Sequence, residues 1–235
     1  MKHTFFIKDW LNSFLSLLFP HCCVVCGRPL AKGEECLCIM CNINLPRTNY
    51  HLWKDNPVER LFWGQIPLER ATSFFFYRKG SDFRQILHQL KYGGKKEVGI
   101  IMGRYMAAEL SDSGFFEGVD VIIPIPLHKK KQQIRGYNQS ECIARGIAAV
   151  TGITVCVESV VRRKNTETQT RKSVFERWEN VDGIFELNHA DSLTGKHILI
   201  VDDVLTTGAT TIACASRLAE GEGTRTSVLT LAMAD

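Results

Sequence analysis

The chain has 235 residues and a mass of 26.5 kDa, which is enough for one sizeable domain or for one domain plus a small module. Hydrophobic residues make up 45% of it and charged residues 23%, which excludes a mostly disordered chain. The formal net charge of +4 permits an anionic ligand, but it is too small to indicate nucleic-acid binding by itself.

The N-terminal stretch predicts a short amphipathic helix. Lys8 and Asp9 interrupt its apolar run and no small-residue cleavage site follows, which argues against a signal peptide. The uninterrupted stretch 10–19 is far shorter than the roughly 20 residues that span a bilayer, and Pro20 ends it. We expect this helix to dock on its own protein, with a membrane surface or a partner as alternatives. We expect no transmembrane segment and a cytoplasmic location.

Six of the nine cysteines fall between residues 22 and 41. This clustering argues against an evenly paired disulfide framework and favours a metal site in a reducing compartment, with free or redox-active thiols as the alternative. Two CxxC pairs of matched spacing supply the four thiolates of a structural Zn²⁺ site, which has no open position for a catalytic water. Cys22 and Cys36 are alternative ligands by spacing. The four preferred metal ligands are Cys23, Cys26, Cys38 and Cys41.

From about Ala71 onward, strand-like and helix-like segments alternate, which is typical of an α/β domain with a mostly parallel sheet and flanking helices. We therefore predict an N-terminal helix and zinc finger (1–45), a linker (46–70) and an α/β domain (71–235). Ligands of such sheets bind beyond the carboxyl ends of the strands. Predicted strands cover residues 73–77, 119–125, 154–157, 197–201 and 227–232, and predicted helices cover 83–90, 96–110, 138–149 and 209–219.

One polar segment, 162–180, shows no clear period and is too long for a simple connector in a compact domain. We interpret it as a functional lid, with a solvated excursion as the alternative.

The most informative motif follows the apolar stretch 197–201, where Asp202 and Asp203 precede a Thr/Gly loop and then a helix. The N–H groups and hydroxyls of such a loop form an anion site at the helix N-terminus. Gly208 allows a ligand to approach the backbone closely. Two carboxylates would repel a phosphate unless they bind sugar hydroxyls or a magnesium ion that comes with the ligand. The spacing therefore predicts a phosphorylated sugar, with its phosphate on Thr206–Thr210.

This motif resembles the PRPP-binding signature of type I phosphoribosyltransferases (PRPP is 5-phosphoribosyl 1-diphosphate). No P-loop sequence competes with it, and a hydrolase-type aspartate dyad leaves the phosphate loop unexplained. A basic loop after the strand that ends at Pro124 resembles the family's pyrophosphate loop, with a solvated basic loop as the alternative. The resemblance implies Mg²⁺ with the pyrophosphate, and carboxylates that stabilise positive charge on the ribose. The implied PRPP-binding residues are Asp202, Asp203, Thr206, Thr207, Gly208, Ala209, Thr210, His128 and Lys129, of which Asp202 and Asp203 are also the implied catalytic residues.

The whole arrangement is similar to the ComF (competence protein F) family, which joins a four-cysteine zinc finger to a phosphoribosyltransferase domain. The resemblance implies the type I phosphoribosyltransferase fold with a hood or lid, and a role in DNA uptake and natural transformation. The matching segments, besides the two CxxC pairs and the Asp202-Asp203 motif, are Phe19-Pro20, Leu90-Lys91-Tyr92, the strand end Pro124–His128, Arg135–Gln139 and Thr168–Thr170.

Two classes of function follow from this resemblance. As an enzyme, the protein would displace pyrophosphate from PRPP onto an acceptor; the sequence identifies neither the acceptor nor a general base. As a non-catalytic, PRPP-responsive protein, it would bind single-stranded DNA through basic clusters, or dock on a helicase or translocase of the competence machinery. The basic clusters are Lys95-Lys96, Lys129–Lys131, Arg162–Lys164 and Arg171-Lys172.

Overall fold

The computed structural model describes residues 21–163, 183–188 and 190–235, so the predicted N-terminal helix and most of the predicted lid lie outside the described residues. No described helix is long and apolar enough to cross a membrane. The described helices are α1 (Ile39–Ile43), α2 (Pro57–Arg60), α3 (Arg84–Tyr92), α4 (Lys96–Ser111), α5 (Lys129–Arg135), α6 (Gln139–Thr151) and α7 (Ala209–Leu218). The described strands are β1 (Arg70–Tyr77), β2 (Val121–Pro124), β3 (Thr154–Val155), β4 (Val160–Arg162), β5 (Phe185–Leu187), β6 (His197–Leu205) and β7 (Arg225–Ala234).

Five parallel strands form the main sheet, in the order β1-β7-β6-β2-β3. β6 lies at its centre, and its first five residues are all buried, as expected for a parallel strand that is covered on both faces. β4 and β5 form a separate antiparallel pair, and in the sequence they flank the segment 163–184. The mostly parallel α/β architecture predicted from the sequence is confirmed.

Apolar residues on the two faces of the sheet build two layers of core. Leu199 and Val201 of β6 point to the layer that holds α3, α4 and α6. Ile198 and Ile200 point to the opposite layer, which holds α7, β4 and β5. This alternation follows the two-residue period of a strand, so each face of β6 is buried by different helices.

The predicted strand 197–201 is too short, because β6 also includes the two aspartates and the two residues after them. β6 runs four residues past the predicted end and stays paired with β7 through the register Asp202↔Thr230 and Leu205↔Met233. The apolar pattern is interrupted after Val201 because the Asp202 and Asp203 side chains are only partly buried, while the backbone hydrogen bonds to β7 continue. The two aspartates therefore lie within the paired part of the strand rather than just beyond its end.

The basic segment after β2 is also different from its prediction as a loop, because Lys129–Arg135 forms the helix α5. His128 is its N-cap, and its Nδ1 accepts a hydrogen bond from the Lys130 N–H at 3.3 Å. Gly136 ends the helix in the left-handed region at φ 84°. The helix begins with three consecutive lysines and has no apolar residues at helical spacing, so the sequence pattern does not predict it.

The predicted linker packs along the main sheet. Asn56 forms a capping box with Glu59 at the start of α2, and its Nδ2 donates to the Ala71 carbonyl of β1 at 2.9 Å. Phe62, just after α2, is fully buried in the core layer of α7. The linker is thus held to β1 and supports the α7 side of the sheet. The division of the chain after residues 45 and 70 stays a prediction.

The cysteine-rich segment packs against α4. Cys36 and Leu37 are buried in the same apolar cluster as Met102, and Arg104 forms an ion pair with Glu35. A second ion pair from the segment's end joins Arg47 to Glu109 of α4, Nε to Oε2, at 2.6 Å. The segment shares its hydrophobic surface with the α/β domain, so burial in that core contributes to its stability.

Glycines allow α4 and α6 to approach each other closely. A Cβ atom added at Gly146 would lie 2.1 Å from the Ile100 carbonyl oxygen, and one added at Gly103 would lie 2.2 Å from the Ile143 carbonyl oxygen. Neither position has room for a methyl group. The contact orients α6, whose N-terminus reaches the end of β6.

We expect Gly146→Ala to lower the free energy of unfolding by about 1–3 kcal/mol, because the helices must separate to admit the methyl group. At an open helical site the same change would raise it by about 0.5–1 kcal/mol. Urea denaturation followed by circular dichroism measures the difference. The control is the exposed neighbour, Arg145→Ala, expected within about 0.5 kcal/mol of wild type. An unchanged or higher midpoint for Gly146→Ala would contradict the close contact.

Candidate functional site

The loop between β6 and α7 leaves backbone N–H donors available at the start of α7. Gly208 is the N-cap of α7 with φ 76°, a left-handed conformation that glycine adopts without strain. A Cβ atom at this position would lie 3.3 Å from a ring carbon of the buried Phe62. No side chain caps the helix, so the first-turn N–H groups of α7 keep their capacity for a ligand.

Asp202 and Asp203 are held by different partners. The Asp202 carboxylate accepts hydrogen bonds from the Ser140 hydroxyl of α6 at 2.9 Å and from the Asp203 N–H at 2.8 Å. The Asp203 carboxylate forms an ion pair with the Lys91 ammonium of α3 at 3.0 Å. The two helices that hold this pair of acids, α6 and α3, belong to the same layer of the fold.

The surroundings favour a proton on Asp202. Burial and then the charge of Asp203 raise the pKa of Asp202 to about 7, against the lowering effect of the hydrogen bonds from Asp203 N–H and Ser140. Asp202 also interacts electrostatically with Arg162 at the end of β4, whose own pKa is lowered by burial. The site therefore combines one carboxyl that titrates near neutrality with two nearby cations.

Sequence reasoning missed three residues of this site. Lys91 belongs to a matched family segment, but only the fold brings it to Asp203. Ser140 follows the N-cap of α6 and has no distinguishing pattern. Arg162 is the last residue of β4 and not the first residue of the predicted lid 162–180. All three come from elements far away in the chain, and local spacing carries no information about such contacts.

His128 and Lys129 lie at the start of α5, just after β2, which is the neighbour of β6 in the sheet. Among the described residues, neither side chain forms a hydrogen bond or an ion pair with Asp202 or Asp203. The structure thus places them at the same carboxyl edge as the aspartates without direct contact.

The cysteine cluster has the geometry of a tetrahedral site. The Sγ atoms of Cys23, Cys26, Cys38 and Cys41 all lie within 4.8 Å of one another, and those of Cys26 and Cys38 are 3.7 Å apart. Four sulfurs at 2.3 Å from one Zn²⁺ would be about 3.8 Å apart. Gly27 turns the first pair tightly, since its N–H donates to the Cys23 carbonyl at 2.9 Å.

Electrostatics in this cluster favour a cation. Burial raises the pKa of Cys23, but backbone N–H groups of its neighbours outweigh it and lower the pKa to about 7. Burial and the adjacent sulfurs raise the pKa of Cys41. No disulfide joins any two of the nine cysteines. Four adjacent thiols cannot all be deprotonated unless a cation compensates for the negative charge of the four thiolates. A zinc ion supplies that charge.

Cys36 has a different environment. Burial, followed by the charges of Cys23 and Glu35, raises the pKa of Cys36 to about 12. Its thiol lies 3.9 Å from the Met102 sulfur in the core. It is a core thiol and not a member of the four-sulfur cluster. Cys22 is exposed and is likewise outside that cluster.

Comparison with known proteins agrees with this architecture. Residues 137–233 match the family described as Phosphoribosyl transferase domain, a range that includes both aspartates and the loop 206–210. The chain is 29% identical over 217 residues to the DNA utilization protein YhgH of Shigella flexneri, which covers 86% of this chain and 92% of that protein. It is 26% identical over 225 residues to the competence protein ComFC of Bacillus subtilis, covering 94% and 81%.

A shorter match joins the chain to competence protein F of Haemophilus influenzae, with 34% identity over 92 residues, 39% of this chain and 40% of that protein. Among solved structures, the glutamine PRPP amidotransferase of B. subtilis is similar with a TM-score of 0.41 and 17% identity; the match covers 61% of this chain and 30% of the enzyme. A hypoxanthine phosphoribosyltransferase of Staphylococcus aureus has a TM-score of 0.37 and 15% identity, covering 59% and 64%.

The chain thus combines a mostly parallel α/β sheet, of which residues 137–233 match the phosphoribosyl transferase domain, with a four-cysteine cluster. The YhgH and competence relatives agree with the resemblance to the ComF family that the motifs indicate.

We expect the stability of the protein to depend on the proton of Asp202. Its folded pKa, about 7, lies above its ordinary value of 3.8, so this contribution is complete below pH 4 and is lost as the pH rises through 7. Asp202→Asn, which does not titrate, should therefore gain free energy of unfolding relative to wild type between pH 5 and pH 8. Urea midpoints across this range measure the difference.

Ser140→Ala provides a matched test, because the Ser140 hydroxyl lowers the pKa of Asp202. Without that hydroxyl, the loss of stability should move to higher pH, and the Asp202→Asn background should abolish this movement. Parallel pH profiles for wild type and Asp202→Asn would contradict the raised pKa.

Proposed function

We propose that this protein binds PRPP and displaces its pyrophosphate onto an acceptor, in a process linked to DNA uptake. The observation that carries the proposal is the sequence of features along one backbone: two partly buried carboxyls at the end of β6, the Gly208 turn and the uncapped start of α7. The family match covers this stretch. The names of the competence relatives support the link to DNA uptake.

Each part of the site has a task in this proposal. The loop Thr206–Thr210 binds the 5-phosphate with backbone N–H groups and hydroxyls. Asp202 and Asp203 bind the ribose hydroxyls and stabilise the positive charge that develops on the ring. Ser140 and Lys91 keep the two carboxylates oriented.

The pyrophosphate would lie toward the start of α5, at the edge of β2. His128 and Lys129 would contact it there, as the family resemblance implies. Mg²⁺, brought by PRPP, would neutralise the charge of this leaving group. Oxygen donors suited to such an ion are present in the two aspartates.

We also propose that Cys23, Cys26, Cys38 and Cys41 hold one structural Zn²⁺. The sulfur distances fit a tetrahedral ion, and all donors are sulfur, so no position remains for a reacting water. A cluster of four thiolate ligands suits a reducing compartment, and we therefore place the protein in the cytoplasm.

A second candidate function is a non-catalytic one, in which PRPP regulates binding to single-stranded DNA or to a helicase or translocase of the competence machinery. The printed names of the relatives, DNA utilization and competence proteins, favour it. Exposed lysines at 95–96 and 129–130 supply positive charge at the surface. Both candidates use the same PRPP site.

Calorimetry tests PRPP binding. In the presence of Mg²⁺, wild type should release heat on titration with PRPP, and the double variant Asp202→Asn/Asp203→Asn should bind at least about tenfold more weakly, because two hydrogen-bonding carboxylates are worth at least 1.4 kcal/mol together. The control, Asp112→Asn/Asp191→Asn, removes two charges at exposed positions and should behave as wild type. Equal heats for wild type and the Asp202/Asp203 variant would refute the proposed site.

Pyrophosphate release from PRPP separates the two candidate functions. Release over a panel of bases, amines and nucleic acids, lost in the Asp202/Asp203 variant and kept in the control variant, would show transfer. PRPP binding without release on any acceptor would favour the regulatory candidate.

Elemental analysis tests the zinc site. Purified protein should contain about one zinc per chain, and Cys38→Ser should lose it and unfold at lower urea, since binding of the ion is coupled to folding of the segment. Cys22→Ser is the matched control, because Cys22 is exposed and outside the cluster, and should keep its zinc. A folded, metal-free wild type would contradict the assignment.

A further inference from the structure

A cleft of about 490 Å³ opens beside Asp203 on the α3 face of the sheet. It lies between the end of β1, the turn that follows, α3 and Val204 of β6. Its volume is within the range of about 300–1,000 Å³ that small-ligand sites occupy. It is distinct from the 206–210 loop, of which no residue lines it. The cleft is lined by Tyr77, Lys79, Arg84, Gln85, Leu87, His88, Lys91, Tyr92 and Val204.

The lining of the cleft is cationic. Lys79, Arg84 and Lys91 line it, and no carboxylate does. Among the described residues, Lys79 and Arg84 form no ion pair, whereas Lys91 is paired with Asp203. A cavity with two uncompensated cations attracts an anion, and lysine and arginine are both common ligands of phosphate.

The cleft also offers an aromatic surface. Tyr92, at the end of α3, is 73% exposed and presents its ring at the cleft. The His88 ring lies 5.5 Å from it, centroid to centroid, and the Arg135 guanidinium lies 5.7 Å from its centroid. Exposed rings flanked by cations are the surfaces on which nucleobases stack.

Lys91 connects the cleft to the proposed PRPP site. Its ammonium lies 3.0 Å from Asp203 and also lines the cleft. A phosphate in the cleft would compete with Asp203 for this ammonium. Occupation of the cleft would therefore change the charge balance of the neighbouring carboxyl pair.

We propose that this cleft binds a nucleoside monophosphate unit, with its base stacked on Tyr92 and His88 and its phosphate on Lys79 and Arg84. The unit has two sources, a free mononucleotide or one residue of a single strand, and both present a planar base and one phosphate. This inference rests on the proposed function for the neighbouring PRPP site, and it adds a second class of ligand. Binding in the cleft itself does not require PRPP.

Fluorescence anisotropy of a fluorescein-labelled oligothymidylate at low salt, without PRPP or Mg²⁺, tests this proposal. Tyr92→Ala should weaken binding about tenfold through lost stacking, and Tyr92→Phe should restore it. Lys79→Gln/Arg84→Gln should weaken binding and flatten its salt dependence. Circular dichroism of each variant confirms that it is folded.

Trp63→Ala is the matched control. Trp63 is 57% exposed with the Arg60 guanidinium 5.7 Å from its ring, the same kind of surface outside the cleft. It should bind as wild type does. No binding by wild type, unchanged binding by Tyr92→Ala, or equal losses for Tyr92→Ala and Trp63→Ala would each overturn the proposal.

Unlabelled dTMP and inorganic phosphate, added as competitors, distinguish the sources. If dTMP displaces the labelled oligonucleotide, the cleft accepts a free mononucleotide. If dTMP does not displace it but Tyr92→Ala still weakens its binding, the natural ligand is one residue of a single strand. Equal displacement by inorganic phosphate would overturn the proposal, because the base would then contribute nothing. The Asp202→Asn/Asp203→Asn variant should lose PRPP heat but bind the oligonucleotide at least as tightly as wild type, since Lys91 is then released from Asp203; this separates failure of the PRPP site from failure of the cleft.

Discussion

Two acidic side chains stand next to each other at the end of the central strand, and the rest of the site is arranged around their repulsion. Asp203 raises the pKa of Asp202, and separate partners limit the effect: a hydroxyl from α6 for Asp202 and an ammonium from α3 for Asp203. Because each helix lies on the α4 side of the sheet, the position of the acids depends on how α3, α4 and α6 pack together.

Other parts of the fold support the loop 206–210, where we propose that the phosphate binds. Phe62 of the linker fills the space beside Gly208, so the linker fixes the turn that would cradle the phosphate. The cysteine cluster is further away, but its neighbours Glu35 and Arg47 bind α4, the helix that orients α6. A zinc ion would thus stabilise the layer that holds Ser140, without taking part in any chemistry.

The sequence predicted the alternation of strands and helices well, because the apolar patterns of Ile198–Val201 and the helices are local. It also placed Asp202, Asp203 and Gly208 in one motif, since they are adjacent in the chain. It could not predict that β6 continues to Leu205, because Asp202 and Asp203 interrupt the apolar pattern. Backbone hydrogen bonds between strands do not depend on the polarity of the side chains, so they produce no such pattern. Lys91 and the cleft it lines depend on contacts between distant elements, which no local pattern specifies.

The measurement that tests the central claim most directly is a crystal structure of the protein with PRPP and Mg²⁺. The account predicts the 5-phosphate on residues 206–210, the ribose hydroxyls on Asp202 and Asp203, and the Lys91 ammonium still within hydrogen-bond distance of Asp203. PRPP bound elsewhere, or bound without contact to either aspartate, would contradict it.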